Sequence, residues 1–182
     1  DEELNRFLGP DALWQLHYDA HPVDRQWKTG GFGGYFCGGH DGYARLVPPV
    51  GSVREIYVDP VRPHVVVRDR LTGVGPRATT WRFHFDPAVT ADLVGPDCRL
   101  RGPGREVWLL AADEHDSRPR QLERGWVSSG YGLRAETSVL VIPDNKMPTS
   151  LACVFADTRL PAEARREAVA QLDAHRAHPL KD

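Results

Sequence analysis

Short runs of β-branched and aromatic residues recur between residues 40 and 87, and proline, glycine and aspartate separate them. Runs of this length and spacing predict consecutive antiparallel strands of a sandwich or barrel. Four strands are predicted in this way, at residues 44–47, 53–58, 64–69 and 79–85. Three consecutive valines make the third run apolar on both faces, so we expect it to be a central, covered strand.

Residues 81–85 alternate strictly between aromatic and polar side chains. Successive side chains of a strand point to opposite faces of a sheet, so Trp81, Phe83 and Phe85 share one face. Arg82 and His84 share the other face. A face with this much aromatic area needs an opposing layer to bury it, and the pattern therefore predicts two packed layers.

Runs separated by turns continue through the rest of the chain, and further strands are predicted at residues 13–18, 89–94, 98–101, 106–112, 138–142 and 151–156. Trp108 and Leu110 lie in the most apolar of these runs and are expected in the core. Residues 113–124 are charged throughout, which predicts a solvated loop. Residues 161–175 start with proline, carry Glu163 in the first turn and are rich in alanine, which predicts a helix.

The segment from residue 30 to residue 42 contains seven glycines around Phe32, Tyr35, Phe36 and Cys37. It lacks the Gly-Lys-Ser/Thr ending of a phosphate-binding loop and no predicted helix follows it, so a phosphate site is not supported. A glycine loop with aromatic residues could stack on sugar rings or lie over a sheet. The favoured interpretation is a mobile connection with a few residues pinned into the core.

The pattern as a whole predicts an all-β fold, an antiparallel β-sandwich of about ten short strands with one C-terminal α-helix. The sandwich is assigned to residues 1–157, and the helix and tail to residues 158–182. A chain of 182 residues fits one domain. No segment approaches the ~20 apolar residues that span a bilayer, and the chain starts with Asp-Glu-Glu, without a Met or a leader pattern.

The formal net charge of −2 argues against a nucleic-acid partner, because no basic excess is available to displace counterions from phosphates. It also gives no global attraction for an acidic polysaccharide, so such recognition would need a local basic cleft. The three cysteines, Cys37, Cys98 and Cys153, are far apart and form no CxxC pair. They predict no metal motif and at most one disulfide.

His40, Asp41, Tyr43 and Arg45 form the main candidate for a functional cluster. Elimination from a uronic acid uses a base for the C5 proton, an acid for the leaving oxygen and a cation for the carboxylate. Alternatively, Tyr43 anchors a strand end and Arg45 pairs with a neighbouring acid. Any binding of a polyanion is expected to depend on Arg45 or Arg54.

Three further groups of residues are candidates for chemistry or binding. Trp126 and Tyr131 could stack on a sugar, or fill the end of the sandwich. His17, Asp19 and His21 would share one face of a strand and suit zinc, although a turn before Pro22 is favoured and no fourth ligand is evident. A small metal-dependent enzyme built on these three residues is a distant option. Ser128 and Ser129 lack the G-x-S-x-G context of a serine hydrolase.

Several short motifs, in their order along the chain, resemble the C-terminal region of heparinase II/III-like proteins. They are Gly42-Tyr43-x-Arg45-Leu46, the Asp-Arg-Leu-x-Gly that ends the strand at 65–69, and His84-Phe85-x-Pro87. Residues 5–10 upstream and Gly125-Trp126-Val127-Ser128 with Tyr131-Gly132 downstream extend the likeness. It covers residues 5–155, and the order of the motifs carries it, because no single motif is specific.

The resemblance implies an α/α-toroid followed by an antiparallel β-sandwich, and many such proteins are lyases of acidic polysaccharides. It implies that the catalytic Asn, Tyr and His and the metal ligands lie on the toroid and on earlier β segments. No catalytic residue, metal ligand or cofactor is therefore assigned, and the chain alone is expected to be inactive. The implied partners are an acidic polysaccharide and the toroid of the same protein, in a bacterial periplasm or outside the cell. The alternative is a non-catalytic carbohydrate-binding or structural module.

Overall fold

The computed structural model describes residues 9–12 and 20–177, which form eleven β-strands, one short 3₁₀ helix and one α-helix. The strands are β1 Pro22–Gly30, β2 Gly33–His40, β3 Gly51–Val58, β4 His64–Thr72, β5 Thr79–His84, β6 Thr90–Val94, β7 Asp97–Gly102, β8 Arg105–Ala111, β9 Gln121–Val127, β10 Ala135–Asp144 and β11 Thr149–Ala156. The 3₁₀ helix is Pro10–Ala12, and the α-helix, α1, is Ala162–Ala177. No helix within these described ranges has both the length and the apolar character needed to cross a membrane.

The strands form two antiparallel sheets. The large sheet has eight strands in the order β1-β2-β3-β4-β11-β8-β7-β6, and the small sheet has the order β5-β10-β9. Helix α1 contacts β2, β3, β4 and β11 of the large sheet. The predicted all-β fold with antiparallel strands and one C-terminal helix is therefore confirmed, and β4 is a central strand as its three valines predict.

Each face of the large sheet buries its own hydrophobic core. One core contains Trp108, Leu110 and Tyr57 together with Leu172 of α1. The other core lies under the small sheet; its largest members are Trp81, Phe85, Leu109, Leu140 and Ile142. Because neighbouring residues of β8 point to opposite faces, Trp108 and Leu110 pack under α1 whereas Leu109 packs under the small sheet.

The aromatic face predicted at residues 81–85 is buried as expected. Trp81 and Phe85 are almost fully covered, and Phe83 is half-buried against Phe155, with ring centroids 6.4 Å apart. The covering layer is the large sheet itself, which places these rings between the two sheets. The alternation of one short strand thus determines which side of the small sheet faces inward.

Two segments that were predicted as connections contain strands instead. The glycine-rich segment was predicted as a mobile connection, which is wrong, because β2 pairs with β1 on one side and with β3 on the other. Gly33 starts β2 with a φ of +103°, and a Cβ at this position would lie 2.1 Å from the Val58 carbonyl oxygen. The predicted loop at 113–124 is also wrong at its end, because residues 121–124 belong to β9. Leu122 of β9 packs into the core while its polar neighbours face solvent.

The strand predicted at residues 44–47 is absent, and these residues form turns instead. The Tyr43 carbonyl accepts bonds from the amides of Leu46 and Val50, at 3.2 and 3.1 Å. Two successive prolines, Pro48 and Pro49, have no N–H to donate to a strand partner, which disfavours a strand at this point. The strand predicted at residues 13–18 lies outside the described residues.

Two buried carboxylates hold α1 against the large sheet. Asp97 accepts bonds of 2.7 and 2.9 Å from the guanidinium of Arg165 in the first turns of the helix. Glu55 accepts a bond of 2.9 Å from Arg68, which also lies 2.8 Å from Asp173 near the end of the helix. Both carboxylates are fully buried, so each needs a cation to offset its desolvation.

Candidate functional site

The large sheet carries an open cleft of about 840 Å³ next to the small sheet. The core beneath the small sheet draws its large-sheet residues from β4, β6, β7, β8 and β11, whereas β1, β2 and β3 contribute none of the described members. The small sheet therefore leaves the β1–β3 side of this face uncovered. Residues of β1 to β5 and of the turn at 41–50 line the resulting cleft.

Arginine side chains dominate the charge of the cleft. Four arginines, Arg25, Arg54, Arg77 and Arg82, line it together with one carboxylate, Asp69. The chain as a whole has a formal net charge of −2, so this positive excess is local. A concave wall of one sign of charge concentrates the field that attracts an anionic ligand. The cleft is therefore the kind of basic cluster that a net-negative chain needs to bind a polyanion.

Arg54 is oriented by Asp69 on the neighbouring strand. Its Nε and Nη2 atoms donate bonds of 2.6 and 2.7 Å to the two carboxylate oxygens, a bidentate arrangement. The hydrogen bond to Asp69 is the main cause that raises the pKa of Arg54. The side chain is still 55% exposed. The pair thus presents a fixed cation at the surface of the cleft. The Nη1 atom of Arg54 takes no part in the bonds to the carboxylate.

His40 and Tyr43 lie side by side at the end of β2, where the sequence predicted a functional cluster. Their ring centroids are 5.1 Å apart in an edge-to-face arrangement, and both residues line the cleft. The His40 Nδ1 atom is buried and makes no hydrogen bond within the described part of the chain. Buried polar atoms without a partner are rare, so this nitrogen is a natural contact for a water molecule or a ligand.

The remaining predicted residues do not join this group. Arg45 does not line the cleft, and its guanidinium donates to the Gly42 carbonyl. Trp126 is opposite Glu136 at the far end of the small sheet, whereas the cleft lies at the Trp81 end. The Arg134 guanidinium covers one face of Trp126 at 3.7 Å, and the nearby Tyr131 is 92% exposed. Trp126 and Tyr131 therefore belong to a separate surface.

The predicted zinc cluster is only partly described. His17 and Asp19 lie outside the described residues. His21 donates its backbone N–H to Asp41 at 2.6 Å, and its Nδ1 atom lies 3.3 Å from the same carboxylate. Residues 9–12 and 20–177 contain no group of three or more His, Cys, Asp or Glu placed to hold a metal ion.

Burial makes two of the three cysteines unreactive. All three are free thiols, and Cys98 and Cys153 are buried. Burial raises the pKa of Cys98 to about 11 and that of Cys153 to about 12. A thiol is nucleophilic as its thiolate, so these two side chains are inert at neutral pH.

Several charged residues of the cleft were not predicted as site residues, and Phe36 was noted only as one aromatic residue of the glycine-rich segment. Arg25 and Phe36 lie on β1 and β2, which were not recognised as strands. Arg77 lies in the connection before β5 and donates to the carbonyls of Val47 and Pro48, at 3.4 and 3.3 Å. Positions 32, 34, 36 and 38 alternate between phenylalanine and glycine, and this was the available signal for a strand, since side chains at every second position share a face.

The back wall of the cleft rests on a buried ion cluster. The Arg118 guanidinium lies 5.3 Å from the centre of the Trp81 ring and donates a bond of 2.6 Å to Asp116. Burial alone would raise the pKa of Asp116, but hydrogen bonds from Arg118 and the charges of Arg118 and Arg120 outweigh it and lower the pKa to about 2.

This cluster predicts acid sensitivity. A carboxylate whose pKa falls from 3.8 to about 2 on folding contributes about 2 kcal/mol of stability. Because the pKa is lower in the folded state, this contribution is present above pH 4 and is lost as the pH falls towards 2. We expect urea unfolding between pH 2 and 6 to show this loss, and Asp116→Asn to abolish that part of the pH dependence. An unchanged profile in Asp116→Asn would contradict the prediction.

Comparison with known proteins gives one family match and several solved structures of similar fold. A family model described as "Heparinase II/III-like, C-terminal" matches residues 3–168. The heparan sulfate lyase HepC from Pedobacter heparinus superposes with a TM-score of 0.60 at 15% identity, over 78% of this chain and 22% of that one. A heparinase III, the BT4657 gene product, gives a TM-score of 0.57 at 12% identity, over 76% and 21%. The chain thus spans about a fifth of either enzyme, and no curated protein sequence matches it.

Proposed function

Since the chain belongs to the heparinase II/III-like family through its match to the C-terminal domain, we propose that it is the β-sandwich portion of a polysaccharide lyase. The full protein would cleave a uronic-acid-containing polysaccharide by β-elimination. In this proposal an α/α-toroid elsewhere in the same protein carries the acid–base chemistry, and the β-sandwich supports it and supplies one wall of the substrate cleft.

The observation that carries the proposal is the cleft with four arginines against one carboxylate. An elimination site must neutralise the uronate carboxylate in order to acidify the C5 proton, and guanidinium groups suit this role through paired hydrogen bonds. Arg54 is already oriented by Asp69, so little side-chain freedom is lost on binding. His40 and Tyr43 line the same cleft and can contact the sugar hydroxyls.

The cleft does not supply a complete set of catalytic groups. Elimination requires a base, an acid and a carboxylate neutraliser held around one sugar. The cations are grouped in the cleft, whereas the resemblance to the family implies catalytic residues on the toroid and on earlier β segments. We therefore expect the isolated chain to bind without turnover.

The second candidate is a non-catalytic carbohydrate-binding module. It is favoured by the fact that the cleft is formed within this chain alone, from β1 to β5 and the turn at 41–50. A module of this kind would bind the polysaccharide equally well with or without the rest of its protein. The lyase portion would instead bind weakly alone, because the other wall of its cleft is missing.

The test is an elimination assay that follows the ultraviolet absorbance of the unsaturated uronate, on heparan-type, alginate-type and related polysaccharides. We expect no product from the isolated chain, with or without added zinc or calcium, and product from the full-length protein. In the full-length protein, Arg54→Ala should lower kcat/KM about tenfold, the loss of a charged hydrogen bond. The exposed Arg124 of β9 lies outside the cleft, and Arg124→Ala is the matched control, with kcat/KM unchanged.

Two outcomes would overturn the proposal. Sustained product formation by the isolated chain that disappears in His40→Ala or Tyr43→Phe would make this chain a complete lyase. Full-length protein that yields no unsaturated product from any of these polysaccharides, and binds them no more tightly than the isolated chain, would establish the binding module instead.

A further inference from the structure

An aromatic ring lies on the cleft face of β2. The Phe36 side chain extends over Gly38, two residues further along the same face of the strand, and a Cβ on Gly38 would lie only 2.7 Å from the Phe36 Cζ atom. Trp27 of β1 is directly opposite Phe36, with ring centroids 6.1 Å apart, and it is 66% exposed. A side chain at position 38 would displace the ring, so glycine at this position keeps the apolar ring open to the cleft.

A cation lies on each side of this ring. On one side, residues 24 and 25 of β1 form a bulge opposite Gly38, and Arg25 from this bulge lines the cleft. On the other side, Gly38 is directly opposite Arg54 of β3, which is in turn opposite Asp69 of β4. Neighbouring strands are about 4.8 Å apart, so the two arginines start about 5 Å to either side of the ring.

This arrangement matches the chemistry of an anionic sugar. A pyranose has apolar C–H groups on its faces, which pack against an aromatic ring, and its polar substituents lie around its edge. A carboxylate or sulfate at that edge would meet a guanidinium on either side of Phe36, with the paired geometry that arginine provides. Arg54 uses Nε and Nη2 for Asp69, so its Nη1 edge is directed away from that pair.

We propose that Phe36, lying over Gly38 between Arg25 and Arg54, forms a subsite for one anionic pyranose, a uronate or an O-sulfated hexose. This inference rests on the proposed function, because it assigns a position to the polysaccharide within the cleft. It goes beyond that function by naming the sugar unit recognised and the glycine that makes its stacking surface. Arg77 and Arg82, at the small-sheet side of the cleft, would contact neighbouring units of the chain.

The test measures binding of defined uronate oligosaccharides, with and without sulfate, to the full 182-residue chain by titration calorimetry at low and high salt. Gly38→Ala should weaken binding about tenfold, because the new Cβ displaces the ring and leaves every charge in place. The matched control is Gly34→Ala, on the same strand and the same face, where a Cβ meets no atom within 4 Å. It should bind as the wild type does.

Two further variants separate the ring from the charges. Phe36→Leu should weaken binding of the sulfated and unsulfated sugars alike, at low and at high salt. Arg25→Ala should weaken binding mainly at low salt, because salt screens the ion pair. If Gly38→Ala does not fold, which its thermal unfolding curve would reveal, these two variants still test the subsite.

The outcomes distinguish the subsite from the proposed function. Wild-type binding that persists in Gly38→Ala, Phe36→Leu and Arg25→Ala alike would exclude the subsite and leave the rest of the cleft as the binding surface. No wild-type binding to any of the sugars would exclude the subsite, whereas unsaturated product from the full-length protein would still support the proposed function. Tighter binding of a single-stranded oligonucleotide than of the oligosaccharides would also overturn the subsite.

Discussion

Replacing Asp97 with alanine is expected to lower the free energy of unfolding by about 3–5 kcal/mol, because the change leaves a buried arginine without its counter-ion. Asp97 is fully buried at the start of β7, and it joins Arg165 of α1, the backbone N–H of Ala111 and the Arg159 side chain. Arg165 is itself only 5% exposed. The variant therefore loses the main polar link between α1 and the β7–β8 part of the large sheet.

The measurement is denaturant unfolding followed by far-ultraviolet circular dichroism, with Asp92→Ala as the matched control. Asp92 lies on the neighbouring strand β6 and pairs with Arg101 and Arg99 at 2.5 and 3.4 Å, but its side chain is 42% exposed. An exposed pair of the same residue types contributes less than about 1 kcal/mol. Equal losses in the two variants would contradict the role given to burial.

A double variant tests the physical reason for the loss. Asp97→Ala combined with Arg165→Met removes both charges and retains an apolar side chain of similar length. Since replacing a buried ion pair by apolar groups is often near neutral, we expect the double variant to recover more than half of the stability lost in Asp97→Ala. No recovery would mean that the backbone bond from Ala111, rather than the ion pair, accounts for the effect.

The strands that the sequence predicted best are those with clear side-chain alternation. Residues 79–85 and 106–112 alternate or are strongly apolar, and they correspond closely to β5 and β8. The strands β1 and β2 were missed because glycine has low β propensity and Pro22–Gly30 is almost entirely exposed. β1 and β2 form a hairpin, but β2 pairs with β3 across the turn at 41–50, so that Gly38 is opposite Arg54.

The same limit applies to the candidate site. His40 and Tyr43 are close in sequence, so a local motif indicated them, and both line the cleft. Arg54 and Asp69 are brought together by strand order alone, as neighbours on β3 and β4. Arg25 reaches the cleft through a bulge whose Asp24 has a φ of +51°. The residues next to a position in the sequence carry no information on such pairings. The charge of the chain therefore predicted that polyanion binding needs a local basic cleft, but it did not predict where that cleft lies.

Trp108→Ala is expected to cost about 3–5 kcal/mol, because it removes a large ring from the core between α1 and the large sheet. Trp108 is 9% exposed and packs with Leu110 and Leu172. Its Nε1 atom donates a bond of 2.9 Å to Glu106, and the Arg159 guanidinium lies 5.6 Å from its ring centre. The surrounding strands are tied by ladder hydrogen bonds, so the cavity left by the ring cannot close fully.

Trp126→Ala is the control for this change, because the same ring is removed from a site that is 49% exposed, and we expect a loss below about 1 kcal/mol. Trp108→Phe should retain most of the stability, since most of the apolar area remains and only the bond to Glu106 and part of the ring are lost. Arg159 contacts both Trp108 and Asp97, so Trp108→Ala and Asp97→Ala should not be additive. A loss below about 0.5 kcal/mol in Trp108→Ala would place the ring at the surface and contradict the packing of α1 on this sheet.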